Sequence, residues 1–161
     1  MRHNTERLGI RPIELVFFAI GVILLLMFAI VANGQTGHSQ VQQQPLYREY
    51  RGVRLGMTAE EARAKLGVPA MMSDEQDFYV FSANETAQIV YADKKIVTIS
   101  SDYTSGIGAP DYKSVAGEGL LQRPDGSLFK MAIYDSERFW VSYNKSASVV
   151  PTVTITIGTM K

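Results

Sequence analysis

Cysteine is absent from the 161 residues. That excludes a disulfide framework, a thiol nucleophile, cysteine-ligated zinc or iron–sulfur clusters, and lipid attachment through an N-terminal cysteine. Histidine is nearly absent: His3 and His38 are the only two, and both precede the region that reads as folded. A His-based general acid or base, or an imidazole metal ligand, is therefore not available to that region. Net charge is missing too, with 16 Lys plus Arg against 16 Asp plus Glu, so no overall field recruits nucleic acid or an acidic substrate. Aromatic residues include a single tryptophan, Trp140.

What is present first is apolar. Residues 15–32, LVFFAIGVILLLMFAIVA, run for eighteen positions without a charge, a proline or a polar side chain. At about 1.5 Å per residue, such a run with its flanks covers roughly the ~30 Å of a bilayer core, where a helix must satisfy its own backbone groups. The reading is a transmembrane helix over 13–33, with Leu15, Phe17, Phe18, Gly21, Leu25, Phe28 and Val31 facing lipid or a neighbouring helix and Glu14 at the interface or against a partner. Arg2, Arg7 and Arg11 precede the run and no Lys or Arg follows it before Arg48. That asymmetry predicts a cytoplasmic tail over 1–12 and everything beyond 33 outside, in a bacterial inner membrane. The run exceeds the ~7–15 residues of a cleaved signal's apolar region, so it is read as an uncleaved signal-anchor.

Residues 34–45, rich in Gln, Gly and Ser, read as a linker, and 46–161 as one extracytoplasmic domain with a first unit over 46–104 and a second β-rich unit over 105–161. The strongest local signal is a short helix. Thr58 stands as N-cap with Glu61 three residues on, Gly67 supplies the C-cap and Pro69 blocks continuation, which predicts a helix over 59–66 too short to stand alone. Runs at 77–82, 87–92 and 96–101 alternate as strands of an antiparallel meander, one face apolar and the other mixed, and the mixed face is where binding is expected. Glycines and prolines punctuate 103–126, with a short helix expected near 111–115. Further strands are expected at 128–134, 139–143 and 152–157. The hairpin at 140–156 weakly echoes that at 89–99, so a degenerate tandem repeat is one reading, with a second copy lacking a recognisable helix. The fold class expected is α+β: a short helix packed on an antiparallel sheet.

The string Leu55-Gly56-Met57-Thr58, with Glu60, Glu61, Leu66, Gly67 and Pro69, followed by Phe78-Tyr79-Val80-Phe81 and the strands around Gln88-Ile89-Val90-Tyr91 and Ile96-Val97-Thr98-Ile99, resembles the SmpA/OmlA (BamE-like) domain family over 50–102. The resemblance implies a short helical element on a three-stranded antiparallel sheet that works by contact with other proteins. The duplicated unit is similar in fold to β-lactamase inhibitor protein.

Catalytic patterns are not legible. Asp74, Glu75 and Asp77 lack the spacing of a cation loop, and the Gly106/Gly108 and Gly117/Gly119 pairs lack the context of a phosphate or dinucleotide loop. Tyr112, Tyr134, Arg138 and Phe139 are candidate partner contacts, being of the types enriched at interfaces, while Trp140 reads as core. The expectation is a non-enzymatic, membrane-anchored protein–protein interaction module, an accessory or structural subunit of a larger membrane complex. It needs no cofactor and no metal. Its partners are other membrane proteins and the bilayer, not nucleic acid. The alternative is a solitary inhibitor or ligand-binding module of the extracytoplasmic space.

Overall fold

The computed structural model describes residues 46–160, which fall in one unit of the chain. Each of its elements starts from a local signal. Helix α1, Ala59–Leu66, is opened by the reciprocal capping box, with Glu61 N–H donating to Thr58 Oγ1 and Thr58 N–H to Glu61 Oε2 at 2.7 Å, so two orphan donors are satisfied at once. It ends at Gly67, whose φ of 86° and ψ of −158° suit only glycine. Strands β1 (Met71–Met72), β2 (Gln76–Ser82), β3 (Glu85–Ala92) and β4 (Lys95–Thr104) then form a meander. Asp93 and Lys94 both take positive φ between β3 and β4, as a two-residue hairpin turn requires. Helix α2, Tyr112–Ala116, is capped by Asp111 and closed by Gly117. Strands β5 (Leu121–Gln122), β6 (Leu128–Tyr134), β7 (Phe139–Lys145) and β8 (Thr152–Thr159) follow.

All eight strands join one antiparallel sheet in the order β1-β2-β3-β4-β8-β7-β6-β5. The two halves have the same plan: a short helix, a glycine cap, a two-residue strand four residues after that cap, and three longer strands. Their last strands, β4 and β8, pair antiparallel about Ser101↔Ile155, which places a pseudo-two-fold axis through the middle of the sheet. The two-residue strands at both edges leave little backbone open to further pairing.

One face is packed. Ile89, Ile99, Ile157 and Val141 form a continuous cross-strand row, each at most 1% exposed. Both helices cover this face, through Ala62 and Leu66 of α1 and Val115 and Ala116 of α2, and Tyr50 and Val53 add to it from the chain ahead of α1. That leading chain is fastened by Glu85, which accepts from Tyr50 Oη at 2.8 Å and from both Nε and Nη2 of Arg51. Helix α1 is fastened to β2 by a buried ion pair: Arg63 donates through Nε and Nη2 to the two oxygens of Asp77 at 2.8 and 2.9 Å. Asp77 is fully buried and also accepts from Tyr91 Oη at 2.8 Å.

Three expectations are corrected. The α+β class gives way to a mostly β fold, because helices of 8 and 5 residues cannot form a layer of their own, and β4–β8 pairing fuses the two sets of strands into one sheet. The short helix expected near 111–115 is present as Tyr112–Ala116, capped by Asp111, so the repeat reading is corrected in one respect: the second half does not lack its helix. Single-pass, signal-anchored placement in an inner membrane with a periplasmic domain is also corrected. Among the described residues no helix is long and apolar enough to cross a membrane; the longer of the two spans about 12 Å where ~30 Å is needed. The tail 1–12, the run 13–33 with its span residues, Glu14 and the linker 34–45 lie outside the described residues.

Simple alternation in β4 fails at one point. Val90 pairs with Thr98 but Tyr91 pairs with Ile96, so Val97 is an extra residue in a β-bulge. That resets the pleat, and Ile96 and Ile99 both point inward.

Candidate functional site: the open face of the sheet

The other face of the sheet is defined by register alone. Three rows cross it: Leu121, Phe129, Asn144, Thr154, Asp102, Thr86 and Val80; then Met131, Ser142, Thr156, Ser100, Gln88, Phe78 and Met71; then Ile133, Trp140, Gly158, Thr98, Val90 and Gln76. None of these side chains belongs to the core cluster. Met71, Val80, Leu121 and Ile133 are all more than half exposed.

The chemistry of this face is ordered. Its middle, over β4, β8 and β7, carries Thr98, Ser100, Asp102, Thr154, Thr156, Ser142 and Asn144. Several of these groups satisfy one another: Thr154 Oγ1 donates to Asp102 Oδ1 at 2.5 Å, and Ser100 and Thr156 hydroxyls meet at 3.2 Å. Gln88 Nε2 donates to Gln76 Oε1 at 2.6 Å beside them. Apolar pads flank this stripe, Met71, Phe78 and Val80 on one side and Leu121, Phe129, Met131, Ile133 and Trp140 on the other. Trp140 lies across Gly158, where an added Cβ would meet its ring at 2.5 Å, so the glycine makes the seat for the indole. Arg123 stacks its guanidinium over Phe129, 3.9 Å from the ring centroid. Across twenty positions Asp102 is the single ionisable group.

The residues singled out from sequence do not meet on one exposed surface. Tyr134 and Phe139 are buried at 6% and 8%, their rings stacked with centroids 4.9 Å apart. Tyr112 packs edge-on to Tyr143 on the helix-covered side. Arg138 sits in a left-handed turn after the short 3₁₀ helix Asp135–Glu137, its carbonyl accepting from Met160 N–H at 2.9 Å. Trp140, read as core, faces out because Phe139, Val141 and Tyr143 take the inward positions of the same strand. The mixed face was legible in the alternation. Its apolar pads were not, because Met71 and Leu121 lie in two-residue strands that leave no periodic signal.

No group of three or more His, Cys, Asp and Glu that could hold a metal occurs among the described residues. Fold and surface together define a mostly β domain of two like halves with one open sheet face. No family model matches the chain, and neither the curated proteins nor the solved structures contain a match to it.

Proposed function

We propose that the protein is a non-enzymatic binding module, an accessory subunit whose open sheet face seats another protein chain. The observation that carries this reading is the face itself: two apolar pads on either side of a polar stripe whose one ionisable group, Asp102, accepts from Thr154. Eight strands at ~4.8 Å spacing and three rows along the strands give roughly 500–700 Å². That is close to the ~800 Å² each partner contributes to a standard protein interface. One carboxylate and one guanidinium, Arg123 over Phe129, give the face too little positive charge to hold a polyphosphate backbone, whereas its mixture of apolar and polar groups suits a protein surface. The likeness of Leu55-Gly56-Met57-Thr58 and the strands after it to the SmpA/OmlA domains points the same way, toward contact rather than chemistry.

The test is affinity capture with the tagged full chain in parallel with Val80→Asp and Ile133→Asp, both on exposed positions of opposite pads. A partner held at fixed stoichiometry by the parent chain and released by either variant, with thermal stability unchanged, supports the reading. A partner retained by both variants refutes it. Turnover of any substrate that disappears on replacing a single side chain refutes the non-enzymatic part.

A further inference from the structure

A cavity of about 530 Å³ opens beside α1, where three elements meet: α1 itself with Glu60 and Arg63, the β1–β2 connection with Asp74, and β3 with its following turn, which bring Tyr91 and Lys94. The volume is that of a small-molecule site. The two halves of the fold differ here, since α2 buries Val115 and Ala116 in the core whereas α1 buries Ala62 alone and is fastened through Arg63 to Asp77. The walls are fixed. Ser73 Oγ accepts from the N–H groups of Glu75 and Gln76 at 3.2 and 3.0 Å, which sets the connection that carries Asp74, and Tyr91 Oη is bonded to Asp77 at 2.8 Å. Lys94 stands at the second position of the β3–β4 turn with φ 60°, where glycine is the usual residue, so the turn forgoes its preferred residue and sets an ammonium at the cavity.

The charges around this cavity are not used up within the protein. Arg63 is matched by the buried Asp77 behind it. Glu60, Asp74 and Lys94 are exposed and form no ion pair among the described residues, although Glu60 feels both Arg63 and Lys94 at longer range. Two carboxylates and one ammonium therefore face the same space, with both signs on offer and one negative charge in excess.

We infer that this cavity binds a basic α-amino acid. Its carboxylate meets Lys94, its two ammonium groups meet Glu60 and Asp74, its net single positive charge cancels the excess, and its methylene stem lies along Ala59. Carboxylates alone would accept any amine; Lys94 adds the demand for a carboxylate on the ligand. The site stands apart from the open face and does not depend on that face having a partner.

The probe is L-lysine, titrated into the purified full chain by calorimetry at low salt. Three analogues each lack one group: 1,5-diaminopentane the carboxylate, 6-aminohexanoate the α-ammonium and L-norleucine the side-chain ammonium. Saturable binding of L-lysine is expected, about threefold or more tighter than any analogue and weakened by salt. Lys94→Asn, a residue that tolerates the left-handed turn, brings L-lysine down to the affinity of the diamine and leaves the diamine bound no more weakly than before. Asp74→Asn weakens L-lysine and the diamine alike. Both positions are exposed, so the variants keep their fold, which circular dichroism checks. The inference falls if L-lysine does not saturate, if the diamine binds the parent chain as tightly as L-lysine does, or if either variant binds L-lysine as the parent does.

Discussion

Removing Arg63 and removing Asp77 should have different costs, and removing both should cost less than removing Arg63 alone. Asp77 is fully buried, while the Arg63 side chain is 29% exposed and borders a cavity of about 530 Å³ with Ser73, Asp74 and Lys94. In Arg63→Met the carboxylate stays buried with only the Tyr91 hydroxyl at 2.8 Å and the more distant Tyr79 hydroxyl, at 3.5 Å, to answer it. An uncompensated buried charge costs about 3–5 kcal/mol. In Asp77→Leu the guanidinium can turn toward the cavity and water, and the principal loss is the acceptor of the Tyr91 hydroxyl, about 1–3 kcal/mol. In Arg63→Met/Asp77→Leu both charges are gone and the volume is filled, so the cost falls below that of Arg63→Met alone, giving a coupling energy of about 2 kcal/mol or more. Urea unfolding of the full chain followed by far-ultraviolet circular dichroism measures all three against the parent. Equal costs for the two single variants, or a double variant that costs their sum, would refute the idea that this pair clamps α1 to β2 as a unit.

Gly158→Ala should cost about 1–3 kcal/mol and shift the Trp140 emission spectrum, because the new methyl occupies the space of the indole; Trp140→Leu in the same chain should recover most of that loss, and failure to recover would place the strain elsewhere. Gly67→Ala should cost about 1–3 kcal/mol by backbone strain alone, since φ is 86° and no atom lies within 4 Å of the added Cβ; an unfolding midpoint equal to the parent's would refute it. Alkaline pH should unfold the protein steeply, because burial raises the tyrosine pKa values: Tyr79 is pushed up to about 12, and Tyr47, Tyr50, Tyr91, Tyr103 and Tyr143 are raised. The folded state holds these protons where the unfolded state releases them, so this contribution is complete below about pH 10 and is lost as pH rises through the raised folded values. The phenolate absorbance band should therefore appear together with loss of circular dichroism, and a smooth titration well ahead of unfolding would contradict it.

Much of the local structure can be read from residues whose physical role is short-ranged. Thr58, Glu61 and Gly67 mark α1 at both ends because a cap is satisfied by its own neighbours. Leu128 to Tyr134 and the alternating threonines from Thr152 mark strands because period two is visible without tertiary context. What could not be read is what pairs at a distance. Nothing near Ser101 announces Ile155 as its partner, yet that register makes one sheet from two sets of strands. Tyr134 and Phe139 have the composition of interface anchors but are neighbours across a hairpin, where they close the core over the turn. Asp77 reads as a member of an acidic loop with Asp74 and Glu75, and only the fold brings Arg63, fourteen residues earlier, against it. The cavity at Glu60, Asp74 and Lys94 likewise joins positions about thirty apart.

The two pads of the open face are related by the pseudo-two-fold but are not equal in content, and that inequality predicts where binding energy resides. From β2 to β6 the sheet takes five strand steps, about 24 Å, so a partner must span the polar stripe to touch both pads. Met71, Phe78 and Val80 form the pad on β1 and β2, whereas the one on β5, β6 and β7 adds Trp140 and Ile133 to Leu121, Phe129 and Met131 and has Arg123 stacked on Phe129. Tryptophan and arginine-backed aromatics dominate interface energetics because they remove large rigid surfaces from water at little entropic cost. Trp140 is also held in place by its Gly158 seat, so little freedom remains for it to lose on binding. Truncating Phe129 or Met131 to alanine should therefore weaken partner binding by about 1–2 kcal/mol or more, and truncating Phe78 or Val80 by less than 1 kcal/mol. Affinities of the four variants for the captured partner decide the matter. If the β1–β2 pad proves the costlier to truncate, the seat of the indole is a feature of folding and the partner is anchored from the other half.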